Sequence, residues 1–174
     1  MLSICKKIFF VVLLLSLNST SNADTPYFID FKYVLNESAA GKKAQNTLKS
    51  KLDKGLKSFS DKEKALKESE KKIIQQKKLI TPEEYKKKVE ELRVKVSSLQ
   101  KERNKLLSDV SKQRAKAKNE LLKTLNPIIE NYMKEKNIAM IIDKKNILSA
   151  NNKLDITKDI TSLLNQKLKS IKIN

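Results

Sequence analysis

A chain of 174 residues with 38 Lys and Arg against 20 Asp and Glu carries a formal charge of +18, and it holds no His, no Trp, one Cys and two Gly. Those scarcities exclude an imidazole base, a Cys/His zinc cage and a glycine-rich phosphate cradle, so neither catalysis nor a cofactor is expected. Charged residues at 33% and aromatics at 5% suit long solvated helices better than one globular core, because ordinary domains carry about 25% charged residues.

The N-terminus reads as a targeting segment. Lys6 and Lys7 precede an apolar run from Ile8 to Leu17 broken only by Ser16, and Ser21-Asn22-Ala23 supplies the small residues of a cleavage site. Ten residues at ~1.5 Å each span about half of a hydrocarbon core of ~30 Å, too little for a permanent anchor. Residues 1–23 are therefore expected to be a cleaved secretory signal. Cys5 precedes the apolar run and leaves with it, so the exported chain is expected to lack disulfides.

Residues 24–37 follow, with Tyr27-Phe28-Ile29-Asp30-Phe31 rich in strand formers. From Ser38 the chain is expected to be helical for a long way, since no Gly follows Gly55 and only Pro82 and Pro127 interrupt. Leu52, Phe59, Leu66, Ile73 and Ile80 recur every seven residues, but Gly55, Lys62, Ser69 and Gln76 occupy the partner seam position. A fuller seam comes later, with Tyr85, Val89, Leu92, Val96, Leu99, Leu106 and Val110, interrupted by Arg103 and Gln113. Between the two runs, Thr81-Pro82-Glu83-Glu84 reads as a capping box with proline in the first turn. A break that short makes the second helix return along the first. Residues 38–136 are thus expected to form an antiparallel coiled-coil hairpin arm with its tip near 79–84.

Residues 137–174 return to short elements. Ile138 to Ile142 and Ile147 to Ala150 read as strands around an Asp143-Lys144-Lys145-Asn146 turn. A last helix is expected from Asp155, with Ile156, Ile160, Leu163, Leu164, Leu168 and Ile171 on one face. The fold class is therefore mainly α with a small β body of three strands per chain. Such a body is marginal alone, and three strands leave open edges, so self-association through Ile29, Ile141 and Ile147 is expected.

The charge lies on the arm, where residues 42–136 hold 28 Lys and Arg against 14 Asp and Glu. Lys86, Lys87, Lys88, Lys112, Gln113, Arg114 and Lys116 are the candidate binding side chains for anionic partners. Specific nucleic-acid recognition is not expected, because only Tyr85 offers a stacking surface among the basic runs. Ser97-Ser98, Glu83-Glu84 and Glu90-Glu91 lie on expected wet helix faces and do not converge as catalytic groups must.

In order and spacing, several segments resemble the Skp/OmpH family of periplasmic chaperones. They are the first strand ending in Asp30, Val34-Leu35-Asn36-Glu37-Ser38, Ala40-Gly41-Lys42-Lys43-Ala44, the basic hairpin, Ile138 to Asp143, and Asp155-Ile156-Thr157. The resemblance implies a periplasmic homotrimer whose strands join in a shared barrel and whose three arms surround a cavity. It implies ATP-independent holding of unfolded outer-membrane proteins. It also implies a lipopolysaccharide site of basic residues and a Gln on the arm, a pattern that Lys112, Gln113 and Arg114 match only in part. The alternative reading is an exported structural coiled coil that bridges anionic surfaces, lipopolysaccharide or membrane, without handling clients.

Overall fold

The computed structural model describes residues 25–173; the expected signal segment and Cys5 lie outside them. Strand β1 (Tyr27–Ile29) leads into helix α1 (Phe31–Glu37), then the two long helices α2 (Ala39–Gln76) and α3 (Pro82–Lys136). Strand β2 (Ile141–Asp143), two single 3₁₀ turns and helix α4 (Thr157–Lys167) complete the order.

The two strands are parallel, with Tyr27 opposite Ile141 and Ile29 opposite Asp143, so the whole hairpin is the crossover between them. The other side of β1 takes a single bridge, Phe28 to Asp155, where the Ile156 amide donates to the Phe28 carbonyl at 3.0 Å. The expected third strand at Ile147 to Ala150 does not form. After β2 the chain enters the 3₁₀ turn Lys144–Asn146 and does not fold back along the strand, so the segment runs as an irregular loop in which Leu148 is fully exposed.

Side-chain caps write the joints of the body. Asp30 Oδ1 accepts from the Tyr33 amide at 2.8 Å, starting α1, while the Asp30 amide donates to Thr157 Oγ1 at 2.9 Å. Ser38, fully buried, closes α1 with its own amide and opens α2 by accepting from the Gly41 amide at 3.2 Å. The Ala39 amide donates to Asn165 Oδ1 at 2.7 Å, tying the root of α2 to α4. Helix α3 ends on Asn137 in the left-handed conformation at φ 52°, and the Ile138 amide donates back to the Met133 carbonyl at 2.9 Å.

One apolar core joins these pieces. Ile29, Val34 and Ala40 meet Leu121, Leu125 and Ile128 from the root of α3, and Ile156, Ile160 and Leu164 from the C-terminal segment. Helix α4 begins two residues later than Asp155 and stops before Leu168. Asp155 still serves its start, since Oδ1 accepts from the Thr157 amide at 2.9 Å, and Leu168 and Ile171 pack on the core from the tail beyond the helix.

Candidate functional site

The arm is built from two helices that lean on few large side chains. Near its root Leu48 and Ala117 are buried; further out the buried apolar residues are Phe59, Leu99 and Val110. Gly55, which breaks the expected seam, is where Leu106 seats: a Cβ on Gly55 would lie 2.2 Å from Leu106 Cδ2. Val96, expected in the seam, is instead 51% exposed. Where large apolar pairs are missing, polar groups cross between the helices. Lys51 Nζ donates to Gln113 Oε1 at 3.0 Å, Lys62 pairs with Glu102, Arg103 with Glu63 at 3.4 Å, and Lys88 Nζ donates to Gln76 Oε1 at 2.7 Å. Half-exposed ion pairs of this kind stabilise by only about 0–1 kcal/mol each. The pairing specifies register more than it adds strength.

At the far end the capping box forms as expected: the Glu84 amide donates to Thr81 Oγ1 at 3.2 Å and the Thr81 amide donates to Glu84 Oε2 at 3.1 Å. Lys77 lies over the Tyr85 ring at 5.7 Å. Exposed apolar side chains stud the arm, among them Leu56, Ile74, Leu79, Val94 and Leu107. A cleft of about 350 Å³ opens at the root, floored by Gly41, Ala44 and Ala117 and rimmed by Arg114 and Lys118. Small residues at positions 41 and 44 are the sequence signal for it, and heptad reading passed over them.

The expected binding residues divide into two groups. Lys86 and Lys87 are exposed near the tip, and Lys88 is half-buried by its bond to Gln76. Lys112, Arg114 and Lys116 are exposed near the root, with Gln113 turned toward Lys51. Twenty-six residues of helix separate Lys86 from Lys112, about 39 Å of rise, so these side chains form two patches rather than one site. Of the expected assembly residues, Ile29 is wholly buried in its own chain, while Ile141 and Ile147 stay half-buried. Any part Ile29 plays in assembly therefore runs through the strand it anchors.

Titration shifts fall in the body and at the arm root. Burial, then the hydrogen bond to Asp159 Oδ2 at 2.7 Å, push the Tyr132 phenol up to about 12. Burial alone would raise the Asp155 carboxyl, but hydrogen bonds from Thr157 and the Lys144 ammonium outweigh it and hold the group below its ordinary range. A hydrogen bond to Glu37 raises the exposed Lys42. Among the described residues no cluster of His, Cys, Asp and Glu could hold a metal ion, and no helix is long and apolar enough to cross a membrane.

A small α/β body closing on a long, basic, thin-seamed helical hairpin defines the class of this chain. A family model described as outer membrane protein (OmpH-like) matches residues 27–164, and the chain belongs to that family, as the segment order had implied. Its fold is similar to a crystal structure of a Caulobacter crescentus CB15 protein proposed to be an outer membrane chaperone (OmpH-like). The TM-score is 0.78 at 18% identity, over 91% of this chain and 95% of that one. No curated protein matches the sequence.

Proposed function

We propose that the protein is an ATP-independent periplasmic holdase, which binds unfolded outer-membrane proteins between basic arms and keeps them from aggregating. The observation that carries this reading is the arm itself. It combines 28 cationic side chains along residues 42–136 with exposed apolar ones such as Leu56, Val94 and Leu107, on helices whose shared seam is thin. Cationic charge gathers acidic chains at long range, and scattered apolar groups hold them without reading sequence. Membership in the OmpH-like family and the chaperone proposed for the Caulobacter protein support it. A homotrimer would place three arms around one volume, with Ile141 and Ile147 at the contact between bodies. The experiment is direct: dilute a denatured β-barrel protein into buffer with and without the purified protein and follow light scattering. Suppression at near-stoichiometric amounts without nucleotide is expected; unchanged scattering would rule out client holding.

A further inference from the structure

The two flanks of the arm differ. Eighteen positions, about five helical turns, separate Leu56 from Ile74 on α2, and eleven, about three turns, separate Val96 from Leu107 on α3, so each pair faces one way. Glu63 and Arg103 lie about two turns beyond Leu56 and Val96, and their 3.4 Å ion pair puts both pairs on the same flank. All four apolar side chains are exposed. The Lys62–Glu102 pair, rotated by about 100° on each helix, marks the opposite flank, where Ser58, Asp61 and Ala65 line the surface beside Lys62. Among the described residues, Val94 is the one exposed large apolar side chain of α2 and α3 that lies off the first flank. The root cleft opens on that flank too, since Arg114 at its rim lies about two turns beyond Leu107. Leu35, Leu48 and Leu121 wall the cleft, and Gln45 Nε2 donates to Asn36 Oδ1 at 2.7 Å at its lip. Arg114 and Lys118 are exposed and make no ion pair among the described residues.

We propose that this flank is a track for an extended polypeptide segment in which apolar and acidic residues alternate. One apolar side chain sits in the root cleft and another lies over Leu107 and Leu56. The acidic residues between them point outward, where the long Arg114 and Lys118 side chains rise from the rim to meet them. Size and charge choose the partner. A cleft of about 350 Å³ admits single side chains and not a helix ~10 Å across. The floor of Gly41, Ala44 and Ala117 lets such a side chain enter. The seven residues from Leu107 to Arg114 rise about 10.5 Å, which three or four extended residues cover at ~3.4 Å each, so both seats belong to one segment. Free cations beside an apolar floor favour apolar residues with carboxylate neighbours over neutral or basic stretches. This inference rests on the client-holding reading and names the face of the arm that the client meets.

The absence of Trp makes the test clean. The probe is a soluble peptide of about twelve residues alternating Leu and Glu, with a matched peptide carrying Gln for Glu. A Gln45→Trp reporter at the cleft lip of the whole protein should shift its emission to the blue with the Leu/Glu peptide, while a Ser58→Trp reporter on the opposite flank stays unshifted. Arg114→Gln with Lys118→Gln should weaken binding of the Leu/Glu peptide about tenfold, at about threefold per cation, leave the Leu/Gln peptide unaffected, and keep helicity unchanged by circular dichroism. An unshifted Gln45→Trp reporter in protein that still suppresses client aggregation would overturn the track and leave client holding standing. Equal shifts at both reporters would overturn the choice of flank. Equal weakening of both peptides by the paired substitutions would overturn the role of the carboxylates. A Gln45→Trp emission already blue without peptide, and reddening as the protein is diluted, would show that a second copy covers the cleft and would end the proposal.

Discussion

Two glycines in one helix are kept for different reasons. A Cβ on Gly41 would stand 2.0 Å from the Leu35 carbonyl oxygen and 2.9 Å from Ser38 Oγ, where the backbone folds from α1 into α2. Backbone cannot step aside, so Gly41→Ala is expected to cost at least the ~1–3 kcal/mol of overpacking and to lower the urea midpoint. At Gly55 the obstacle is a methyl of Leu106, which can rotate. The ~1 kcal/mol gained by replacing a mid-helix glycine then offsets the crowding, and Gly55→Ala should leave the midpoint nearly unchanged. Titration gives a second residue-scale expectation. The carboxyl of Asp155 is held low in the folded body, so its stabilising effect is present above the ordinary carboxylate range and fades as pH falls through the lowered value. Tyr132, raised to about 12 from 10.0, acts in the opposite direction: its contribution is complete below pH 10.0 and is lost as pH climbs to about 12. Urea midpoints against pH should show a shallower acid limb in Asp155→Asn and a shallower alkaline limb in Tyr132→Phe.

Elements governed by local chemistry were legible in the sequence, and those governed by distant partners were not. The capping box at Thr81 and Glu84, the long helices and the arm tip follow from side chains within a few positions of one another. The segment at Ile147 to Ala150 has strand-forming composition, yet it lies between two 3₁₀ turns whose course is set by the return of the chain to β1 at Asp155. Nothing near Ile147 announces that. The same holds for Gly55, which local counting reads as a gap because the leucine that fills it is 51 positions away. The division of labour between body and arm can be tested on two changes. Ile141→Asp, on the half-buried β2, is expected to disperse the proposed homotrimer in sedimentation, and Leu66→Asp, on the arm, to reduce helicity slightly while leaving that proposed assembly intact. Equal loss of assembly from both would show that the arm helps hold the protomers together.

Across the whole molecule, charge and apolar surface are expected to act at different moments of the proposed client capture. The field of the arm should accelerate encounter with an acidic unfolded chain, and short-range contacts should set how long it stays. Screening acts within ~8 Å at 0.15 M salt, short beside an arm of about 57 Å, so association should slow steeply as salt rises. Reversing Lys86, Lys87, Lys88, Lys112 and Lys116 to Glu should slow association in stopped flow and flatten that salt dependence, with dissociation changed less. Association indifferent to both salt and these lysines would exclude electrostatic capture.

The parallel pairing of Tyr27 with Ile141 has a kinetic side. Two strands that must meet across more than a hundred residues of connecting chain face a large closure entropy, unless that chain is already doubled back on itself. The hairpin does this with contacts between neighbouring turns, and each halving of the effective loop lowers the closure cost by about 0.6 kcal/mol. The arm is therefore expected to act as a splint during folding, bringing the strands to one another although the body core around Leu125 and Ile160 lies at its root. A weakened arm should then slow formation of the body while leaving its unfolding rate nearly unchanged, so that the loss of stability is carried by the folding limb.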